Sequence, residues 1–556
     1  MSRAACDTCH SAQTAYPRGK IVVSMSDRVY LYDSTLRDGA QTQGVDFSVS
    51  DKLAIAAALD RLGIDYVEGG WPGANPTDDA FFAAAPKLAN AQLAAFGMTR
   101  RQGRSASNDP GLTAVLAAPA KAVCLVGKTW DFHVDTALGV ARGENIDMIA
   151  DSVAEAARRK REVLFDAEHF FDGYKANPDY ALACLEAAHE AGARWIVLCD
   201  TNGGTLPDEV ERIVGEVARR IPGDRLGIHC HNDTENAVAN SLAAIRAGAR
   251  QVQGSLNGLG ERCGNANLIS IIPTLMLKMG YETGLSAEDL TRLTHISRML
   301  DERLNRAPQR NAPYVGESAF AHKGGLHVSA VEKDPRSYEH IQPDLVGNAR
   351  NIVVSDQAGR ANMLARFREI GLAIDAEDPR IGRLIESVKS REHDGYAYDG
   401  AEASFELFAR RAIESVPEFF KLSSFRVIDE RRWNARDELI TMSEATIKVV
   451  VEDEHTMTVA EGNGPVNALD NALRKALLPH YPELEGMRLV DYKVRILTPD
   501  AGTRAVTRVM IESADDAGAR WATVGVSANV IDASYIALHD GITYKLFHAR
   551  VGRRTR

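Results

Sequence analysis

An α/β chain led by a (β/α)8 barrel, followed by mainly helical linker subdomains and a C-terminal α/β domain, is what the sequence predicts. Three observations carry this. Eight short β-rich apolar runs recur between residues 29 and 258. Stretches with helical spacing separate most of them. Beyond about residue 440 the pattern changes to alternating strands interleaved with two helical stretches. Repeated strand–helix alternation implies a parallel sheet, and eight units in about 250 residues is the size of a closed barrel. An open doubly wound sheet is the competing architecture. It usually has fewer strands and a Gly-rich nucleotide turn after the first, and RDGAQTQG is not G-x-G-x-x-G.

Residues 1–26 come first and read as a disordered extension. They lack the apolar core of a signal peptide. Cys6-Asp-Thr-Cys9-His10 spells a c-type haem attachment site, but nothing directs export, so accidental cysteines explain it better. Met25 is an alternative start. The barrel is expected over 27–290. Its strands are VYLYDST (29–35), DYVEGGW (65–71), LAAFGMT (93–99) and AVCLVG (122–127), then EVLFDAEHF (162–170), RWIVLCDT (194–201), RLGIHCH (225–231) and QVQGSLNG (251–258). Segments such as SDKLAIAAALDRLG and PDYALACLEAAHEAGA supply the intervening helices.

Composition sets the outer bounds. A chain of 556 residues exceeds one ordinary core. Its net charge of −11 without a long basic block argues against nucleic acid or an anionic membrane as partner. No apolar run reaches the roughly 18 residues a membrane helix needs. Cysteines 124, 184, 199, 230 and 263 sit in apolar segments and read as reduced thiols of a cytoplasmic protein.

A barrel carries its chemistry at the C-terminal ends of its strands. The polar residues there are Arg37, Asp38, Glu68, Thr99, Glu168, Asp200, Thr201, His229, His231 and Asn257. In GIHCHND, His229 and His231 are two apart on a strand and project to one side, forming a claw for a divalent ion. His-x-His alone is weak. Asp38 strengthens it, because strands one and seven are separated only by strand eight in a closed ring. The competing reading, Asp38 as cap of the helix near Ser50, fails on distance, since an N-cap sits one residue before the first turn. Three protein ligands leave open positions for a chelating substrate.

DSTLRDGAQ, GIHCHND and NGLGERCGNANL together resemble the DRE-type barrel metalloenzymes that condense acetyl-CoA with 2-oxo acids. That family includes 2-isopropylmalate, homocitrate and citramalate synthases and a lyase branch. The resemblance runs from about Met25 to the C-terminus. EGGWPGANPTD (68–78), FAHKGGLHVSAVEKDPRSYEHIQPDLVGN (320–348) and HDGYAYDGAEASFEL (393–407) are similar to the citramalate branch. Isopropylmalate synthases more often carry Phe-Pro in place of Trp71-Pro72 and His-Gln-Asp in place of His327-Val328-Ser329.

The resemblance implies condensation of acetyl-CoA, as co-substrate, with pyruvate to give citramalate, in isoleucine biosynthesis. 2-Isopropylmalate synthesis is the alternative, an acyl-CoA lyase a further one, and a non-catalytic amino-acid sensor the rival class. It implies a divalent metal (Mg, Mn or Zn) on Asp38, His229 and His231, with Asn265 in its shell. Arg37 would stabilise developing alkoxide charge, and Thr201 would bind the substrate carboxylate. Glu168, His327 and Tyr338 would form the acid–base group. His327 and Tyr338 lie beyond the eight units and in relatives reach the neighbouring subunit, which implies a homodimer. Trp71 is expected to narrow the oxo-acid pocket, with rim packing as the alternative.

Residues 291–435 read as helical linker subdomains with Gly/Pro breaks. From 436 to 556, ATIKVVVED, MTVAEGNG, LVDYKVRIL, TRVMIES and WATVGVSAN read as strands, with GPVNALDNALRKALLP and DASYIALHDGITYKL as helices. Two strand–strand–strand–helix units resemble the regulatory domain of the family, which implies feedback binding of isoleucine or leucine. EGNGP could cradle a phosphate, but a Gly-Pro helix entry explains it better.

Overall fold

A computed structural model describes residues 27–84, 86–159, 161–352 and 360–550. The expected extension, with its Cys-x-x-Cys-His spelling, lies outside the described residues. Eight parallel strands close a barrel in chain order: β1 (Tyr30–Asp33), β2 (Tyr66–Gly70), β3 (Gln92–Met98), β4 (Ala122–Lys128), β5 (Glu162–Glu168), β6 (Trp195–Asp200), β7 (Leu226–Cys230) and β8 (Gln251–Gly254). β8 pairs with β1 from Tyr30↔Gln251 to Asp33↔Gly254, which completes the ring. Strand positions two apart share a face. Tyr32, Tyr66, Phe96, Cys124, Leu164 and Trp195 therefore meet in one buried cluster.

Helix Val49–Leu62 shows how local sequence sets the outer ring. Ser48 caps it, accepting from the Asp51 N–H at 3.1 Å, while the Asp51 carboxylate accepts from the Ser48 N–H at 3.2 Å. The helix ends at Gly63 with φ +97°, where a β-carbon would collide with the Gly284 carbonyl. Asp38 caps nothing: it precedes a single 3-10 turn, Gly39–Gln41, without a side-chain cap bond.

The chain divides into two compact units, residues up to Phe320 with Pro343–Ala349, and Ala321–Gln342 with Arg350 onward. In the second, β9 (Ala321–His322) and β10 (Asn351–Ile352) form a short parallel pair. Helices Arg360–Glu369, Pro379–His393 and Glu402–Ile413 pack around Phe367, Leu384 and Phe405. Two antiparallel sheets follow. The first is β11 (Lys421–Trp433), β12 (Leu439–Val451) and β13 (Glu454–Gly462); the second is β14 (Arg488–Ile496), β15 (Thr507–Ala514) and β16 (Arg520–Ser527). Helix Pro465–Leu477 covers the first sheet and Val530–Arg550 the second, around Ile447, Leu473, Ile511 and Leu538.

β11 corrects the expected helical run to residue 435. A bulge between Leu422 and Ser424 shifts the strand's phase, so its apolar residues, Leu422, Phe425 and Val427, do not keep period two. Among the described residues no helix is long and apolar enough to cross a membrane.

Candidate functional site

Asp33 at the end of β1 builds the turn that aims the next residues. It accepts from the Thr35 N–H and hydroxyl, both at 2.9 Å. The Thr35 hydroxyl oxygen in turn accepts from the Leu256 N–H at 2.9 Å, tying this turn to the one after β8. Burial pushes the Asp33 carboxyl up to about 7 against the Thr35 hydrogen bonds that lower it. Arg37 N–H and Gly39 N–H both donate to the Ser34 carbonyl. These bonds close a turn over Ser34–Asp38, and its tight winding lets consecutive side chains converge.

Asp38 meets His229 from β7 and His231 just beyond it. Ligand atoms of the three lie within 4.8 Å of one another, and all three residues are buried. The two Nε2 atoms are 3.3 Å apart, and His229 Nε2 is 3.6 Å from Asp38 Oδ2. Burial raises the Asp38 carboxyl, but Arg37 and both imidazoles outweigh it and hold it at about 2. Burial, with His229 alongside, lowers His231 to about 3. At neutral pH the set is therefore a carboxylate beside a neutral His231 imidazole, as a divalent ion requires.

His229 is held from behind. Its Nδ1 faces Gln253 Oε1 at 2.9 Å, and Gln253 Nε2 donates to Asp166 Oδ1 at 3.0 Å. An amide oxygen can only accept, so Nδ1 carries the proton and the Nε2 lone pair faces the donor set. Asn265 reaches the same corner through a bridge to His231. Gly264 (φ +93°) makes that approach possible, since a β-carbon there would strike the Gly258 carbonyl. Asp38 Oδ1, His231 Nδ1 and both amide atoms of Asn265 are buried without a hydrogen-bond partner. Buried polar atoms left without partners at Asp38 and Asn265 are costly unless something fills their valence, and a divalent ion with its waters would fit.

Arg37 is locked in place. Nε donates to Glu68 Oε2 at 2.8 Å and Nη1 to Asp38 Oδ2 at 3.1 Å, while its guanidinium lies over the Phe96 ring at 4.0 Å. Tyr32 donates to the other Glu68 oxygen at 2.8 Å. Burial opposes the charge of Arg37, but Glu68 and Asp38 more than restore it. Trp71 packs edge-on against Phe96 with ring centroids 5.4 Å apart. Lys52 and Asp78, a buried ion pair, grip the Trp71 loop: Lys52 donates to the Gly69 carbonyl, and Asp78 accepts from the Trp71 N–H at 2.7 Å.

Glu168 ends β5 and forms an ion pair of 2.5 Å with Lys128, its register neighbour at the end of β4. Thr201, just after β6, accepts from the His169 N–H at 2.9 Å. His327 and Tyr338 belong to the second unit, where their rings lie 4.2 Å apart. Both are exposed, and Leu326 beside them is 85% exposed. The barrel thus brings Arg37, Asp38, His229, His231 and Asn265 together at one corner. Within its own unit the chain brings His327 to Tyr338.

Sequence reasoning placed Glu68 at a strand end without its role, and missed Gln253, Asp166, Lys128 and Phe96 altogether. A signal existed for one. QVQG alternates polar residues at inward positions of a buried strand, which is expensive unless each has work to do.

Carboxylate and imidazole donors at the carboxyl mouth of a closed parallel barrel define the class: a (β/α)8-barrel enzyme with a place for one divalent ion. Comparison with known proteins narrows this. Residues 28–299 match the HMGL-like family, 314–394 the homocitrate synthase post-HMGL domain-like family, and 399–546 the LeuA allosteric (dimerisation) domain. An (R)-citramalate synthase of Aquifex aeolicus is 52% identical, aligned over 94% of this chain and 98% of its own. One from Geobacter sulfurreducens is 52% identical over 93% and 97%. A probable 2-isopropylmalate synthase of Methanopyrus kandleri is 32% identical over 96% and 100%. The chain belongs to the family of the (R)-citramalate synthases, within the wider 2-isopropylmalate and homocitrate synthase group of barrel enzymes.

Proposed function

We propose that this protein is an (R)-citramalate synthase, joining acetyl-CoA to pyruvate with water to give citramalate and CoA. The observation that carries the reading is the convergence of Asp38, His229 and His231 beside a locked Arg37, in a chain matching (R)-citramalate synthases nearly end to end. Asp38, His229 and His231, with Asn265 behind them, would hold a Mg, Mn or Zn ion. Such an ion, when bound, supplies Lewis acidity toward a keto group.

The side chains do the rest. Thr201 offers its hydroxyl to the carboxylate of pyruvate. Glu168 takes a proton from the acyl methyl group, whose carbon then bonds to the keto carbon. The displaced electron pair settles on the keto oxygen, where Arg37 receives the charge without losing its own. His327 and Tyr338 of a second copy complete the acid–base group. Water cleaves the thioester, and the thiol of CoA leaves with a proton.

Trapping free thiol while acetyl-CoA is offered with a panel of 2-oxo acids tests this directly. Pyruvate should give the fastest release. 2-Oxoisovalerate as preferred partner would transfer the reading to 2-isopropylmalate synthesis, and thioester cleavage of a hydroxyacyl-CoA without condensation would transfer it to a lyase.

The paired use of two copies predicts that an inactive Asp38→Asn homodimer and a strongly impaired His327→Ala homodimer together exceed the activity of either when co-refolded. The C-terminal sheets are read as a feedback site for isoleucine or leucine. A cavity of about 540 Å³ lined by Thr441, Glu461, Asn463, Asn467 and Asn471 supports this. A rate unmoved by saturating isoleucine and leucine would remove it. Buried unpaired Cys124, Cys184, Cys199 and Cys230 support a cytoplasmic location, to be checked by fractionation.

A further inference from the structure

Glu339, in the second unit, is a buried carboxylate that takes no part in the metal corner. It is 4% exposed, yet it directly follows Tyr338, which is 50% exposed. The Arg350 guanidinium grips it side-on, Nε donating to Oε1 at 2.5 Å and Nη2 to Oε2 at 2.7 Å. Buried His322 also reaches Oε1, with its Nε2 at 3.1 Å. Burial raises the Glu339 carboxyl, but Arg350 and His322 outweigh it and hold it below the usual range. An ionised carboxylate can only accept, so the proton of that contact sits on His322 Nε2.

The three residues come from separate stretches, and two of these lead to the exposed ring pair. His322 lies in β9, just before helix Gly325–Lys333, which carries His327 in its first turn. Glu339 follows the 3-10 turn Pro335–Ser337 and the adjoining Tyr338, and its N–H donates to the Pro335 carbonyl at 2.9 Å. Arg350 precedes β10, whose Ile352 is the register partner of His322. Val328, next to His327, packs with Ile352 and Ala365 in a small buried cluster. One carboxylate therefore ties the approach to the His327 helix to the turn that presents Tyr338. The two rings lie 4.2 Å apart with their planes tilted by 30°. A buried ion pair is a poor source of stability beside an apolar replacement, but a two-pronged fork fixes direction.

We propose that His322, Glu339 and Arg350 form a positioning clamp, which sets the spacing and tilt of the His327–Tyr338 pair before a substrate or a second copy arrives. The assignment rests on the reading of that pair as the acid–base group. It adds what holds the pair in shape while its rings face solvent. The three residues act through the backbone that carries the pair, not on a substrate.

Two measurements on the full-length, Mg-loaded protein test it, one of them independent of turnover. In histidine-labelled protein, the ring signal of His327 is assigned by its loss in His327→Ala and carries the ring-current shift of Tyr338. Tyr338→Leu gives the unstacked position, and Glu339→Gln should move the signal most of the way there. Arg350→Lys, which keeps the charge but not the fork on a side chain 35% exposed, should move it part of the way. In turnover, Glu339→Gln should lower kcat about tenfold or more, with both KM values and divalent-ion affinity at wild type. Added to His327→Ala, Glu339→Gln should cost much less than it does alone, because half of what the clamp holds is gone. A His327 signal unmoved in both Glu339→Gln and Arg350→Lys overturns the clamp, and so do losses that multiply fully in the double variant. A wild type with a stacked His327 signal but no thiol release from acetyl-CoA with any 2-oxo acid overturns the condensation reading and leaves the clamp standing.

Discussion

The proposed metal corner and the proposed acid–base group are built on opposite principles. Asp38, His229 and His231 are buried, and residues with no chemistry of their own hold them: Gln253 and Asp166 behind His229, the Asp33 turn behind Asp38. His327 and Tyr338 stand exposed on the second unit with bare Leu326 next to them. A metal site needs every donor placed within a fraction of an ångström before the ion arrives, so a single rigid barrel is the natural place for it. Groups that move protons act only once substrates are in place, and an exposed pair can be brought up by a second copy. The difference teaches where each kind of damage should register.

Replacing a donor should do the most harm. Asp38→Asn or His229→Ala is expected to abolish turnover and, by calorimetry, specific binding of a divalent ion; retained binding in either would dissolve the distinction between the regions. Tyr338→Phe and His327→Ala should cost about 10²- to 10⁴-fold in kcat. Their metal affinity should match wild type, and a lowered one would mean the exposed pair reaches the ion.

A smaller effect is expected behind the donors. Gln253→Leu removes the acceptor that sets the His229 tautomer and should weaken metal binding about 10- to 100-fold. Saturating metal should recover most of kcat, whereas a kcat that stays low would give Gln253 a part in the chemistry. The mildest change is at Trp71. Trp71→Phe should relax the preference for pyruvate over 2-oxoisovalerate by about tenfold, as one or two methyl groups in a snug pocket allow. Turnover of the two oxo acids, compared side by side, checks it.

Much of this comparison was legible beforehand, and what was not has identifiable causes. The His-x-His pair could be read because strand side chains alternate with period two. Asp38 could be joined to it because a closed ring of eight makes strand seven a near neighbour of strand one. Gln253 escaped notice although it is the register partner of His229, and Lys128 although it is that of Glu168. Cross-strand neighbours are decided by stagger, which local pattern does not encode. β11 was absent from the expected strands because a bulge breaks its alternation, although the expected pair of three-stranded units required a sixth strand.

By itself the sequence determined the number, order and polarity of the strands, since the spacing of apolar residues along one chain is a local property of backbone geometry. Only the tertiary structure decided which side chains face each other across the barrel mouth. Shear and tilt bring residues about 190 positions apart to within one ion's reach, and those are set by the packing of all eight strands at once.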